Sequence, residues 1–118
     1  MIEFCAKIVS DFELYICAME KTKIVNFGLQ LVPLNADASY DLIDEVILHI
    51  QSKNYPTTVT PFETVIECTF EQGTDLMNEV NRLLQKDGEL VWLLNLRIHV
   101  NNAADVYMQD KTTKHQHA

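Results

Sequence analysis

The chain has 118 residues, a length that suits one domain. Hydrophobic residues make up 47% and charged residues 22%, the balance of a folded globular protein rather than a disordered one. The 9 Lys and Arg against 17 Asp and Glu leave a formal net charge of −8, with no basic run, which argues against nucleic acid and anionic membrane surfaces as partners.

Residues 1–18 are apolar but carry Glu3, Asp11 and Glu13. They lack a basic start and an unbroken apolar run, so they read neither as a signal peptide nor as a membrane span. They read either as an additional strand or short helix, or as translation from an upstream start codon. Cys5, Cys17 and Cys68 form no close pairing motif, which points to reduced thiols and a cytoplasmic protein. One domain is expected over residues 19–101, then a flexible polar tail over 102–118.

Residues 24–32 alternate, with Val25, Phe27, Leu29 and Leu31 on one side and Asn26, Gly28 and Gln30 on the other. Period two means a half-buried strand, and Pro33 ends it because it cannot donate to a ladder. Asp37 or Ser39 can cap the helix that follows, in which Tyr40, Leu42, Ile43, Val46, Ile47 and Ile50 recur at helical spacing. Tyr55 and Pro56 follow the break. Residues 57–60 are all β-branched and read as a strand. Pro61, Phe62 and Glu63 turn the chain into a strand over 64–70, with Ile66, Cys68 and Phe70 on one side and Val65, Glu67 and Thr69 on the other. Gly73 and Thr74 are expected to open a second helix with the stripe Leu76, Met77, Val80, Leu83 and Leu84, and Gly88 to stop it in a left-handed conformation. Residues 91–100 form the last strand, with Leu94, Leu96, Ile98 and Val100 facing away from Asn95, Arg97 and His99.

Strand, helix, strand, strand, helix, strand, joined by right-handed crossovers, gives an α+β protein: a ferredoxin-like βαββαβ sandwich. Its four-stranded antiparallel sheet carries both helices on one face. The other face would present Asn26, Gly28, Gln30, Glu67, Thr69, Asn95, Arg97 and His99, with Thr58 or Thr60 according to register. A face touched only by water is also polar. Here amides and mixed charges dominate, and Val32, Val65 and Leu93 make the face partly apolar, which suits oligomer packing or a planar polar ligand.

The stretches Phe27-Gly-Leu-Gln-Leu-Val-Pro-Leu34 and Thr60-Pro-Phe-Glu-Thr-Val-Ile-Glu67, with the helix between them, resemble the thiamine-binding YkoF-like family. The likeness covers residues 23–101, and the segment before Met19 has no counterpart in it. Gln30 stands where many members have Ser, and Cys68 where many have Gly. The resemblance implies a ferredoxin-like protein that forms homodimers or homotetramers and binds thiamine or its hydroxymethylpyrimidine part. Thiamine is then a ligand rather than a catalytic cofactor.

The chemistry of the residues suits such a ligand. A carboxylate, Glu67 or Glu63, can accept from the exocyclic amine and balance the thiazolium charge. Thr64 and the amides of Gln30, Asn26 or Asn95 can complete the polar contacts, and Phe62 or Trp92 can stack on a ring. Each has a plainer alternative: Glu67 can pair with Arg97 across the sheet, Phe62 can pack a turn, and Trp92 can belong to the core.

Other chemistries on this topology lack their residues. The turn over 33–39 has neither the Gly nor the Arg of a phosphate cradle, no Cys-x-x-Cys loop is present for a metal, and no aromatic pair marks an RNA-binding sheet. His115 and His117 are placed in the tail. No nucleophile with a positioned base can be assembled from the spacing, so no enzyme is expected, a small isomerase of this fold being the remote exception. The expected function is cytoplasmic binding of thiamine or hydroxymethylpyrimidine as carrier, sensor or salvage partner. The alternative is an oligomeric structural or regulatory module with no small ligand.

Overall fold

A computed structural model of the chain describes residues 23–35, 37 and 39–115. The expected extra element or upstream extension, residues 1–18, lies outside them. The elements are β1 (Ile24–Pro33), α1 (Ser39–Gln51), β2 (Thr57–Val59), β3 (Thr64–Thr69), α2 (Phe70–Leu84), β4 (Trp92–His99) and α3 (Met108–Thr112), closed by a 3-10 turn (Thr113–His115). The strands form one antiparallel sheet in the order β2-β3-β1-β4. This is the expected ferredoxin-like βαββαβ sandwich, with α3 added after the last strand.

The alternation in β1 decides which side of the sheet is dry. Val25, Phe27 and Leu29 pair with Cys68, Ile66 and Thr64 of β3, and Phe27, Leu29 and Leu31 with Ile98, Leu96 and Leu94 of β4. All these side chains face the helices. Val46 and Ile50 of α1 and Leu76, Val80 and Leu84 of α2 close over them, and all five are buried. Burying each such side chain fully contributes about 1.5–3 kcal/mol. Cys68 packs here as a small apolar residue, and its burial pushes the thiol up to about 11. On the opposite face Thr58, not Thr60, completes the β2 row, because it pairs with Val65.

α2 starts earlier than the glycine expected to open it. The Thr69 hydroxyl accepts from the Gln72 N–H at 3.1 Å, and the Gln72 side-chain oxygen accepts from the Thr69 N–H at 3.0 Å. This reciprocal cap ends β3 at Thr69 and takes Phe70 into the helix. Gly73 therefore lies inside α2, where the Phe27 ring rests against the helix backbone. A Cβ on Gly73 would stand 2.2 Å from two carbons of that ring.

Gly88 is not the left-handed stop it was expected to be. α2 ends when the right-handed Gln85 donates its N–H to the Asn81 carbonyl. Among the described residues the left-handed one is Asn54, at φ 61°, just beyond α1. The two helices are tied by Glu79, whose Oε1 accepts from Lys53 Nζ at 2.5 Å and lies 2.9 Å from His49 Nε2. The Lys53 hydrogen bond, more than the His49 contact, holds the Glu79 carboxyl below its ordinary value.

The chain beyond β4 also departs from the loose tail expected of it. Val106 is buried and donates its N–H to the Ile24 carbonyl at 2.9 Å, while Asp105 accepts from the Ile24 N–H at 2.8 Å. The segment returns across the face of the sheet that the helices leave open, because polar groups there supply partners for its backbone.

Gly73→Ala should force the Phe27 ring or the helix to move. The expected cost is about 1–3 kcal/mol, read as a lower urea midpoint with an unchanged slope.

Candidate functional site

On the open face three successive rows cross β1. The first is Glu67, Asn26 and His99; the second is Val65, Gly28 and Arg97; the third brings Gln30 beside Asn95. The returning C-terminal segment closes the first row. Asn26 is buried: its Nδ2 donates to the Val106 carbonyl at 2.9 Å, and its Oδ1 accepts from Lys111 Nζ at 2.8 Å. The Glu67 carboxylate accepts from the Met108 N–H at the start of α3. Asn26 and Glu67 thus hold a strap made of the chain's own residues, and neither faces an open cleft. Glu67 does not pair with Arg97 either.

The second and third rows remain uncovered by it. Glu63, just before β3, extends its side chain over Gly28, where its Oε2 accepts from the Arg97 guanidinium at 2.8 Å. Gln30 and Asn95 are exposed, and the Asn95 amide donates to Gln30 Oε1 at 3.2 Å.

Beside this patch lies a cleft of about 180 Å³ between α1 and the β2–β3 turn. Ile43, Val46, Ile47 and Ile50 form its helical wall, with Leu29, Leu31 and Thr64 from the sheet. Their spacing in α1 is one helical stripe, so residues read as core also line the cleft. The turn over 60–63 forms its rim. It is locked by Thr60, whose hydroxyl accepts the Glu63 N–H at 3.0 Å and donates to the Glu63 carbonyl at 2.7 Å. This fixes Glu63 and leaves Phe62 78% exposed at the tip. The lock uses only the backbone of residue 63, so its legible signal was Thr60 ahead of the Pro61 turn, which sequence reasoning passed over.

Four of the seven sequence candidates, Gln30, Phe62, Glu63 and Thr64, therefore border one cleft. They do not come from one face of the sheet. Thr64 pairs with Leu29 on the helix side and is buried, whereas Gln30 and Glu63 belong to the open side. Asn95 touches the group only through Gln30. Trp92, half-buried, packs against the core rather than presenting a ring to the cleft. Among the residues lining the cleft, Glu63 is the sole ionisable one, so the site offers apolar walls, hydroxyls and one negative charge. That arrangement suits a flat ring with a positive or hydrogen-bond-donating edge. Among the described residues no group of three His, Cys, Asp or Glu side chains could hold a metal ion.

A family model for thiamine-binding protein matches residues 27–116, most of the chain. The chain belongs to the thiamine-binding protein family. The match takes in the cleft, the open face except Asn26, and the returning segment, and so extends past residue 101, where the sequence likeness stopped. No curated protein matches this chain. Among solved structures it is similar to a candidate thiamine biosynthesis/salvage protein from Thermotoga maritima, at 26% identity and a TM-score of 0.71, over 79% of this chain and 99% of that one. A Streptococcus pneumoniae protein aligns at 25% identity and a TM-score of 0.63, over 77% of this chain and 98% of its own. A hypothetical protein from Methanocaldococcus jannascii, at 15% identity and a TM-score of 0.69 over 79% and 96%, shares the fold.

Asn26→Ala removes two of the side-chain bonds that fasten the strap, leaving those of Glu67 and Asp105. The Val106 carbonyl loses its amide partner, at an expected cost of about 1–3 kcal/mol. Amide hydrogen exchange should accelerate over residues 105–112 while β3 and α2 keep their protection. Uniform acceleration throughout the chain would refute a local strap.

Proposed function

We propose that this protein binds thiamine, or its hydroxymethylpyrimidine part, without converting it, and serves in the cytoplasm as a carrier, sensor or salvage partner. Membership of the thiamine-binding protein family supports the ligand class. The observation that carries the reading to particular residues is the cleft beside the β2–β3 turn, with its apolar walls and single carboxylate, Glu63. An aminopyrimidine can lie against Leu29, Leu31 and the α1 stripe, with Thr64 and Gln30 as polar partners. Phe62, exposed at the rim, can fold over a bound ring. Glu63 then faces the cationic thiazolium or the exocyclic amine.

A second observation favours assembly. β4 is an edge strand, and Leu93, Leu96 and Ile98 along it are exposed, two on the helix side and one on the open side. Exposed apolar strand edges are usually covered. A homodimer or homotetramer fits both this edge and the family. If the assembly existed alone, the protein would be an interaction module without a small ligand.

Isothermal titration separates the two readings. Saturable heat with thiamine and with hydroxymethylpyrimidine is expected, and silence from both at millimolar ligand would leave only the interaction module. Glu63→Gln should weaken thiamine about tenfold, the effect of removing a charge-assisted contact. An unchanged affinity would take Glu63 out of the site. Sedimentation equilibrium at tens of micromolar protein should return at least twice the chain mass, and a monomer would remove the assembly from the proposal.

A further inference from the structure

Glu63 serves two surroundings at once. It lines the cleft between α1 and the turn, and its carboxylate lies over Gly28, where Arg97 holds it at 2.8 Å. Arg97 stands on β4, so the pair spans the whole width of β1 to meet. It crosses above Gly28, where an added Cβ would come within 3.0 Å of Glu63 Oε2. The missing side chain leaves the lane through which the two charges reach each other.

The partners are unequally free. The Arg97 side chain is 82% exposed and that of Glu63 is 28% exposed. Arg97 can therefore withdraw into water at little cost, since so exposed an ion pair contributes weakly. Glu63 is anchored by the turn lock and stays. A cationic ligand entering the cleft meets a carboxylate already partly neutralised, and must displace the guanidinium or share the carboxylate with it. A neutral ring of the same shape meets no such competition.

We propose that Arg97 is a specificity-determining residue of the cleft, setting by its hold on Glu63 how strongly the site favours a cationic ligand over a neutral one with the same ring. This rests on the reading that the cleft takes thiamine or hydroxymethylpyrimidine. Those two molecules form the required pair, because they share the aminopyrimidine and differ in the thiazolium charge.

The test is the ratio of the two affinities, measured by titration of the full chain. Arg97→Gln should tighten thiamine about three- to fivefold, the upper part of what so exposed an ion pair contributes, and leave hydroxymethylpyrimidine within about twofold. Arg97→Lys keeps the charge and should restore the original ratio to within about twofold. In a Glu63→Gln background the Arg97→Gln change should lose its effect, since no carboxylate remains to be released. Arg82→Gln, which removes an exposed charge on α2 instead, should leave the ratio alone and so controls for the net charge of the chain. An Arg97→Gln ratio that does not move, that moves equally in Arg82→Gln, or that persists without Glu63 would overturn the inference while the binding reading stands. Failure of the unaltered protein to bind either ligand would overturn the binding reading and this inference with it.

Discussion

The hydrogen-bonded ladder between β1 and β3 stops at Leu29 and Thr64, while β1 itself runs on to Pro33. From residue 30 onward β1 pairs only with β4. The cause is local: Thr60 closes the turn over 60–63 on itself through its hydroxyl, so those residues bond to one another instead of extending the ladder. α1 still lies across β1 at this point, and the gap beneath it is the cleft. The same turn that opens the gap also furnishes its rim, its exposed aromatic and its carboxylate. One threonine hydroxyl thus links a strand end to the position of the only ionisable group lining the cleft.

The sheet was legible because its signal is strong where one face is dry. β1 and β3 alternate cleanly, a shift of one residue would turn every apolar side chain into water, and the register follows from that. The start of α2 was not legible by the same means. Thr69 and Gln72 cap the helix, but the apolar alternation of β3 runs on through Phe70, and periodicity alone extends the strand across the cap. The strap was missed for a different reason. Its anchors are Asn26 and Glu67, distant in sequence, and a polar segment held by polar side chains leaves no hydrophobic period to read.

That missed strap changes the account of the open face. Asn26 and Glu67 have the acceptor chemistry expected of ligand contacts, and the chain's own donors use it: a backbone N–H from Met108 and the ammonium of Lys111. Residue type therefore identified groups that need partners without identifying whose partners they would be. Burial distinguishes the cases. Asn26 is enclosed and satisfied internally, whereas Gln30 and Glu63 retain access to solvent beside the cleft. The residues with both polarity and access concentrate where the β1–β3 ladder has ended.

Phe27 and Gly28 show how one strand serves both faces at adjacent positions. Phe27 faces the helices, and its ring occupies space that α2 provides because Gly73 has no side chain. Gly28 faces the other way and itself provides space, over which Glu63 reaches Arg97. A large residue meets an absent one on the core side, and an absent residue admits a charged pair on the open side. Exchanging their characters would bury a void against α2 and block the crossing, although the hydrophobic count of the strand would be unchanged. The strand's composition gives its fold class, but the placement of its one glycine beside its largest ring is what allows a packed core and a charge-bearing surface to share the same backbone.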